Sequence, residues 1–184
     1  MLSPKPFAKA LFLDRDNTLV HDPGYLHDPH QVRLLPGVIE ALKWAKEAGH
    51  LLFLISNQSG VGRGFFTLEQ ALICTQRMVE QIGLGEELFR EICLATETPD
   101  DPPVYRKPSP RFILEMIEKY TLDPHRSWMI GDRWTDVQTG INAGIRSLFL
   151  AQTLPSGVDE TFLRHHAVPH VPTLREAIPL LATS

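Results

Sequence analysis

Five short apolar runs, each separated from the next by polar or amphipathic sequence, constrain this fold most: Ala10–Leu13, Leu51–Ile55, Glu91–Ala95, Ser127–Ile130 and Arg146–Leu150. Runs this short read as strands buried on both faces rather than as helices. Helical patterns lie between them. Pro36 and Gly37 open one with Val38, Ala41, Leu42, Ala45 and Ala48 on a single face, and Gly49 ends it. Thr67 and Gln70 predict a capping box for a second, with Leu68, Ala71, Leu72, Met78, Val79 and Ile82 inward and Gly83 closing it. Ser109 as N-cap and Pro110 at the first helical position start a third, which runs to Tyr120 and buries Ile113, Met116 and Ile117. A fourth spans Thr135 to Ala143 and stops at Gly144. Strand alternating with helix implies an α/β fold, a parallel sheet with helices on both faces.

Other segments lack such periods. Met1–Lys9, with Pro4 and Pro6, reads as an irregular lead, and Val20–Leu35 and Thr96–Tyr105 read as loops. The last third predicts a short helix near Glu160, a small strand over Val168–Val171 and a helix from Thr173. At 184 residues the expectation is a single domain, 1–184.

Ligands of open parallel sheets bind beyond the carboxyl ends of the strands. The first run ends in Asp14-Arg15-Asp16. An extended chain would put both carboxylates on one side, where they repel unless a cation or a proton intervenes. A hard, oxygen-ligated ion such as Mg2+ suits that pair. An Asp-rich turn capping the next segment is the competing reading. Ser56 and Asp132 follow other runs, at equivalent strand ends.

Composition removes several classes of function. A net charge of −4 disfavours nucleic acid and anionic membranes as partners. The apolar run at Ala10–Leu13 is too short for a signal segment, and no run approaches membrane-spanning length. Cys74 and Cys93 have no metal-type spacing and read as buried, reduced thiols of a cytoplasmic protein. Gly60-Val61-Gly62-Arg63-Gly64 fits neither a dinucleotide fingerprint nor a P-loop. His21, His27 and His30 share a loop without defensible zinc spacing, and His165, His166 and His170 read as surface residues.

Asp14-x-Asp16-x-Thr18, Ser56 after a strand, Lys107 before Pro108, and Gly131-Asp132-x-x-x-Asp136 occur in that order. Together they resemble the four motifs of the haloacid dehalogenase (HAD) superfamily, over the stretch from Leu11 to Leu150. The resemblance implies the Rossmann-like, HAD-like fold and a Mg2+-dependent phosphatase acting on a small phosphate ester. It implies Asp14 as nucleophile, Asp16 as general acid and base, and Ser56 and Lys107 as donors to the phosphoryl oxygens. Mg2+ would be held by Asp14, the backbone carbonyl of Asp16, and Asp132. Asp136 is open between metal ligand, orienter of Lys107 and helix cap.

Only 39 residues separate Asp16 from Ser56, and 50 separate Ser56 from Lys107. Neither interval leaves room for a cap domain once the core helices are placed, so an open site is expected. Asp22-Pro23-Gly24-Tyr25, Ser56-Asn57-Gln58-Ser59-Gly60 and Arg106-Lys107-Pro108 resemble the branch of heptose bisphosphate and histidinol phosphate phosphatases, on the heptose side. On that resemblance Asp22, Tyr25, Asn57, Gln58, Ser59, Arg63, Arg106 and Arg133 would contact substrate. A monomer is expected.

Two departures stand out. Asn17 replaces the usual Gly, a mild change because Asn tolerates positive φ. Relatives also carry a Cys-x-His and Cys-x-Cys zinc site before the Arg. Here Cys93 has only Ala95, Pro103 and Tyr105 at the partner positions, so no zinc is expected. Polynucleotide 3′-phosphatases also lack that zinc and share a Tyr-Arg-Lys-Pro like Tyr105–Pro108. They remain an alternative, as do histidinol phosphatases and, from another class, a catalytically silent phosphate-binding module.

Overall fold

The computed structural model describes residues 7–154 and 160–183. The lead containing Pro4 and Pro6 lies mostly outside them, although the first strand already begins at Lys9. Six strands form one parallel sheet: β1 (Lys9–Leu13), β2 (His50–Asn57), β3 (Glu91–Ala95), β4 (Trp128–Gly131), β5 (Arg146–Leu150) and β6 (His170–Val171). Their order is β3-β2-β1-β4-β5-β6. Leu13 lies opposite Leu54 of β2 and Ile130 of β4, so β1 and β4 end within a residue of each other while β2 runs three residues further, to Asn57. The chain order reverses at β1, which is where such sheets open a crevice.

Alternation along the strands fills two cores, because successive side chains leave opposite faces. Leu11, Leu13, Leu52, Leu54 and Ile130 pack with α1 (Val38–Glu47), α3 (Leu68–Ile82) and α7 (Leu174–Ala182). Ala10, Phe12, Phe53, Ile55 and Met129 pack with α4 (Arg111–Tyr120) through Phe112, Ile113 and Met116. Phe12 and Phe53 stack with ring centroids 4.8 Å apart. α5 (Trp134–Asn142) and α6 (Glu160–His165) contribute Val137 and Leu163 to a third cluster around Phe149. This two-sided cover is why the central strands read as continuous apolar runs.

Several local expectations shift. The capping box of α3 forms through Thr67 and Gln70, but Leu68 and Leu72 are 43% and 48% exposed, not inward. Cys74 and Thr75 are buried in their stead, and the Thr75 hydroxyl meets a buried arginine. The glycine-rich stretch after β2 contains a short helix, α2 (Ser59–Gly62), where a loop was expected. α4 begins one residue late, at Arg111, and its inward face includes Phe112 while Ile117 is only half-buried. Val20–Leu35 contains a 3-10 turn over Pro29–Gln31, with Asp28 as its cap. The last small strand reduces to His170–Val171, because Val168 turns into the cluster around Phe149.

Among the described residues, β1 and β2 are joined through only that 3-10 turn and α1, and β2 and β3 through only α2 and α3. No cap stands over the carboxyl edge there. No helix of the described residues is long and apolar enough to cross a membrane.

Candidate active site

β1 delivers Asp14 to the edge of the sheet. Its amide donates to the Ile130 carbonyl at 3.0 Å, and its side chain is buried. The strand stops at Leu13, and the next residues turn back: Asn17 has φ 56°, and the amides of Leu19 and Val20 both donate to the Arg15 carbonyl. The chain is thus no longer extended beyond Asp14, yet the Asp14 and Asp16 side chains still line one cleft.

Lys107 is buried between two carboxylates. Its Nζ lies 2.6 Å from Asp14 Oδ1 and 2.5 Å from Asp136 Oδ1. Burial alone would push the ammonium down, but Asp136 and Asp14 hold it well above its ordinary range. Asp136 Oδ2 accepts from the Arg133 amide at 2.9 Å. One residue thus orients Lys107 and caps α5. Asp14, Asp132 and Asp136 each bring one carboxylate oxygen within 4.8 Å of the others. Burial, opposed by Lys107 and aided by Asp136 and Asp16, pushes Asp14 up to about 8. Burial and then Asp136 push Asp132 up to about 6.

Asp16 lies outside that acidic cluster. Its Oδ1 accepts from Arg15 Nε at 2.9 Å, and its Oδ2 accepts from Gln58 Nε2 at 2.7 Å, Arg15 Nη2 at 3.2 Å and Ser56 Oγ at 3.4 Å. Gln58 Nε2 also donates to Ser56 Oγ at 2.9 Å. Ser56 and Gln58 are thus tied into the support of Asp16 while lining the cleft. Asn57 is similarly committed: its Oδ1 accepts from the Lys107 amide and its Nδ2 donates to the Lys107 carbonyl.

These groups line a cleft of about 510 Å³. Of the residues singled out from the sequence, Asp14, Asp16, Asp22, Tyr25, Ser56, Asn57, Gln58, Ser59, Arg106, Lys107 and Arg133 all line it, joined by Trp134 and Thr135. Arg63 does not; it is exposed at the end of α2, where its amide donates to the Ser59 carbonyl. Asp132 is half-buried behind the lining. Asp22 Oδ1 accepts from the amides of Gly24 and Leu26, shaping the loop that carries Tyr25. The Tyr25 ring meets Phe65 edge-on at 5.1 Å. A Cβ on Gly60 would fall 2.1 Å from the Phe66 ring and 2.8 Å from that of Tyr25, so only glycine fits there.

Sequence reasoning passed over Arg15. It is 1% exposed, and besides Asp16 it bonds Gln58 Oε1, Thr75 Oγ1 and the carbonyls of Ala71 and Leu26. An arginine between two aspartates at a strand end was the available signal, yet its acceptors lie far away in the chain. Glu97, in a segment read as plain loop, was also missed. Cys93 is half-buried on β3, and burial followed by Glu97 pushes its thiol up to about 12. Tyr105, at another of the would-be zinc positions, bonds Glu115 through its hydroxyl.

A family model for HAD-hydrolase-like proteins matches residues 104–177. The chain is 36% identical over 151 residues to the D-glycero-beta-D-manno-heptose-1,7-bisphosphate 7-phosphatase of Pasteurella multocida, spanning 79% of this chain and 82% of that one. It is also 36% identical over 149 residues to the Helicobacter pylori protein of the same name, spanning 77% and 83%. In fold it is similar to a D,D-heptose 1,7-bisphosphate phosphatase from B. bronchiseptica complexed with magnesium and phosphate. That match has a TM-score of 0.79 and 24% identity, covering 96% of this chain and 99% of the other.

Proposed function

This chain belongs to the HAD-like phosphatases, and we propose that it removes the 7-phosphate of D-glycero-β-D-manno-heptose 1,7-bisphosphate or a close sugar bisphosphate. The observation that carries the chemistry is the buried Lys107 ammonium held 2.6 Å from Asp14 Oδ1. A phosphoryl group approaching Asp14 meets that fixed positive charge, which stabilises charge on its oxygens as the bond to the leaving group breaks.

Asp14 attacks phosphorus and forms an aspartyl phosphate while the sugar oxygen departs with a proton from Asp16. Asp16 then takes a proton from water, whose oxygen attacks phosphorus and releases inorganic phosphate and free Asp14. Arg15 and Gln58 hold the Asp16 carboxylate in place for both transfers.

The residues suit a divalent cation. Asp132 Oδ1 is buried and has no hydrogen-bond partner among the described residues, and the carboxylates around it crowd one another. Asp14, Asp132 and the backbone carbonyl of Asp16 would hold Mg2+, leaving Asp136 to Lys107. When bound, Mg2+ supplies the positive charge that lets a carboxylate approach a phosphate ester.

Substrate class follows from the mouth of the cleft. With no cap among the described residues, small esters can enter, and Arg106 and Arg133 put two cations on the wall. The names of the relatives at 36% identity support a heptose bisphosphate. On this reading the protein acts as a cytoplasmic monomer without zinc; elemental analysis finding near one zinc per chain would overturn the last point. The deciding test is turnover of heptose bisphosphate, hexose bisphosphates, histidinol phosphate and a 3′-phosphorylated oligonucleotide. Fastest release from the heptose 7-position is expected, and best turnover of either of the last two would overturn the sugar reading.

A further inference from the structure

The segment between β3 and Lys107 has no helix or strand, yet it is tightly organised by one carboxylate. Glu97 Oε1 accepts from three successive amides, those of Val104 at 3.1 Å, Tyr105 at 2.7 Å and Arg106 at 3.1 Å. Successive amides converging on one anion form a nest, here closed by the chain's own side chain. Burial would push the Glu97 carboxyl up, but these amides, led by Tyr105, hold it below its usual range. Arg106 answers in the opposite direction, with Nη1 donating to the Glu97 carbonyl at 3.1 Å. The remaining guanidinium donors have no partner among the described residues, and Arg106 lines the cleft. Both the backbone and the side chain of Arg106 are therefore set by Glu97.

The loop is anchored elsewhere too. A Cβ on Gly62 would fall 2.4 Å from the Thr96 carbonyl oxygen, so α2 lies directly against the chain beside Glu97. Asp101 Oδ2 accepts from the amide and hydroxyl of Thr98, and Ser109 Oγ donates to the Val104 carbonyl. Lys107, the next residue, is held separately by Asn57 and by Asp14 and Asp136. Loosening Glu97 should free Arg106 while leaving the catalytic lysine in place.

We propose that Glu97 is a positioning residue for specificity: it presets Arg106 to hold the second, non-reacting anionic group of the substrate. This rests on the reading of the site as a sugar bisphosphatase. A preset cation binds a remote phosphate without an ordering cost on binding, and that energy is available at the reacting centre.

The test compares Glu97→Ala and the milder Glu97→Gln with the unsubstituted enzyme in two ways. Amide hydrogen exchange at 104–106 should accelerate in both, more in Glu97→Ala. On heptose bisphosphate, Glu97→Ala should raise KM about tenfold, the scale of one charge-assisted hydrogen bond, with Glu97→Gln between. On p-nitrophenyl phosphate, which has no second anionic group, kinetics should hold within about twofold. In an Arg106→Ala background Glu97→Ala should add nothing further. Equal losses on both substrates, additive losses with Arg106→Ala, or unchanged exchange at 104–106 would overturn the proposal. If the unsubstituted enzyme shows no preference for the bisphosphate, the functional reading fails and takes the specificity role with it. The exchange result then reports the amide anchor independently.

Discussion

Asn57 binds both backbone polar groups of Lys107: its Oδ1 accepts from the amide at 2.9 Å, and its Nδ2 donates to the carbonyl at 3.2 Å. The last residue of β2 thus fixes the backbone from which the Lys107 side chain reaches Asp14. Asn57→Ala should lower kcat by about 10²-fold, the usual effect of misplacing a catalytic group by an ångström. The loss should appear equally on aryl and sugar phosphates. A rise in KM on sugar phosphates alone would make Asn57 a substrate contact instead.

Asp14→Asn should abolish turnover while the folded circular dichroism spectrum persists, because the nucleophile is lost without a change of shape. Excess chelator should silence the unsubstituted enzyme, and added Mg2+ should restore it. Full activity of either preparation would exclude the mechanism.

Arg15→Leu should act on stability and chemistry together. It strips buried acceptors on Gln58, Thr75 and Ala71 of their donor, for a loss of about 1–3 kcal/mol in denaturant unfolding. It also frees the Asp16 carboxylate. Poor leaving groups need a proton from Asp16, so the rate should fall more on an alkyl phosphate than on p-nitrophenyl phosphate. Uniform loss on both would mean that Arg15 serves the fold alone.

His50, at the opposite end of β2, gives a pH dependence unconnected with catalysis. Burial, then Lys9 and Arg126, lower its pKa from 6.5 to about 4, and neither ring nitrogen has a partner among the described residues. Between those values the unfolded chain binds the proton that the folded chain refuses, so stability rises with pH. Its contribution is complete above pH 6.5 and is lost as pH falls toward 4. Tm measured across this window should slope less in His50→Leu than in the unsubstituted protein.

The alternation of strand and helix was legible in the sequence because its signals are local. Period-two and 3.6-residue patterns, the Thr67–Gln70 box and the glycine stops need only near neighbours. Asp14 and Asp132 were legible too, since each follows an apolar run, whereas Lys107, which alone reads as a surface lysine, stood out only through the order of the motifs. Tertiary structure alone decided the partners. Lys107 meets Asp14 across 93 positions and Asn57 meets it across 50, and no local pattern records such pairings. The donors that hold Asp16, from Arg15, Ser56 and Gln58, were likewise set by the fold. The outward turn of Leu68 and Leu72 depended on which stripe of α3 met the sheet and Arg15. Side-chain type and spacing are properties of the chain, but a hydrogen bond or a buried charge belongs to two segments at once. Arg15, Asn57 and Glu97 acquired their roles only when the fold brought their acceptors and donors within reach.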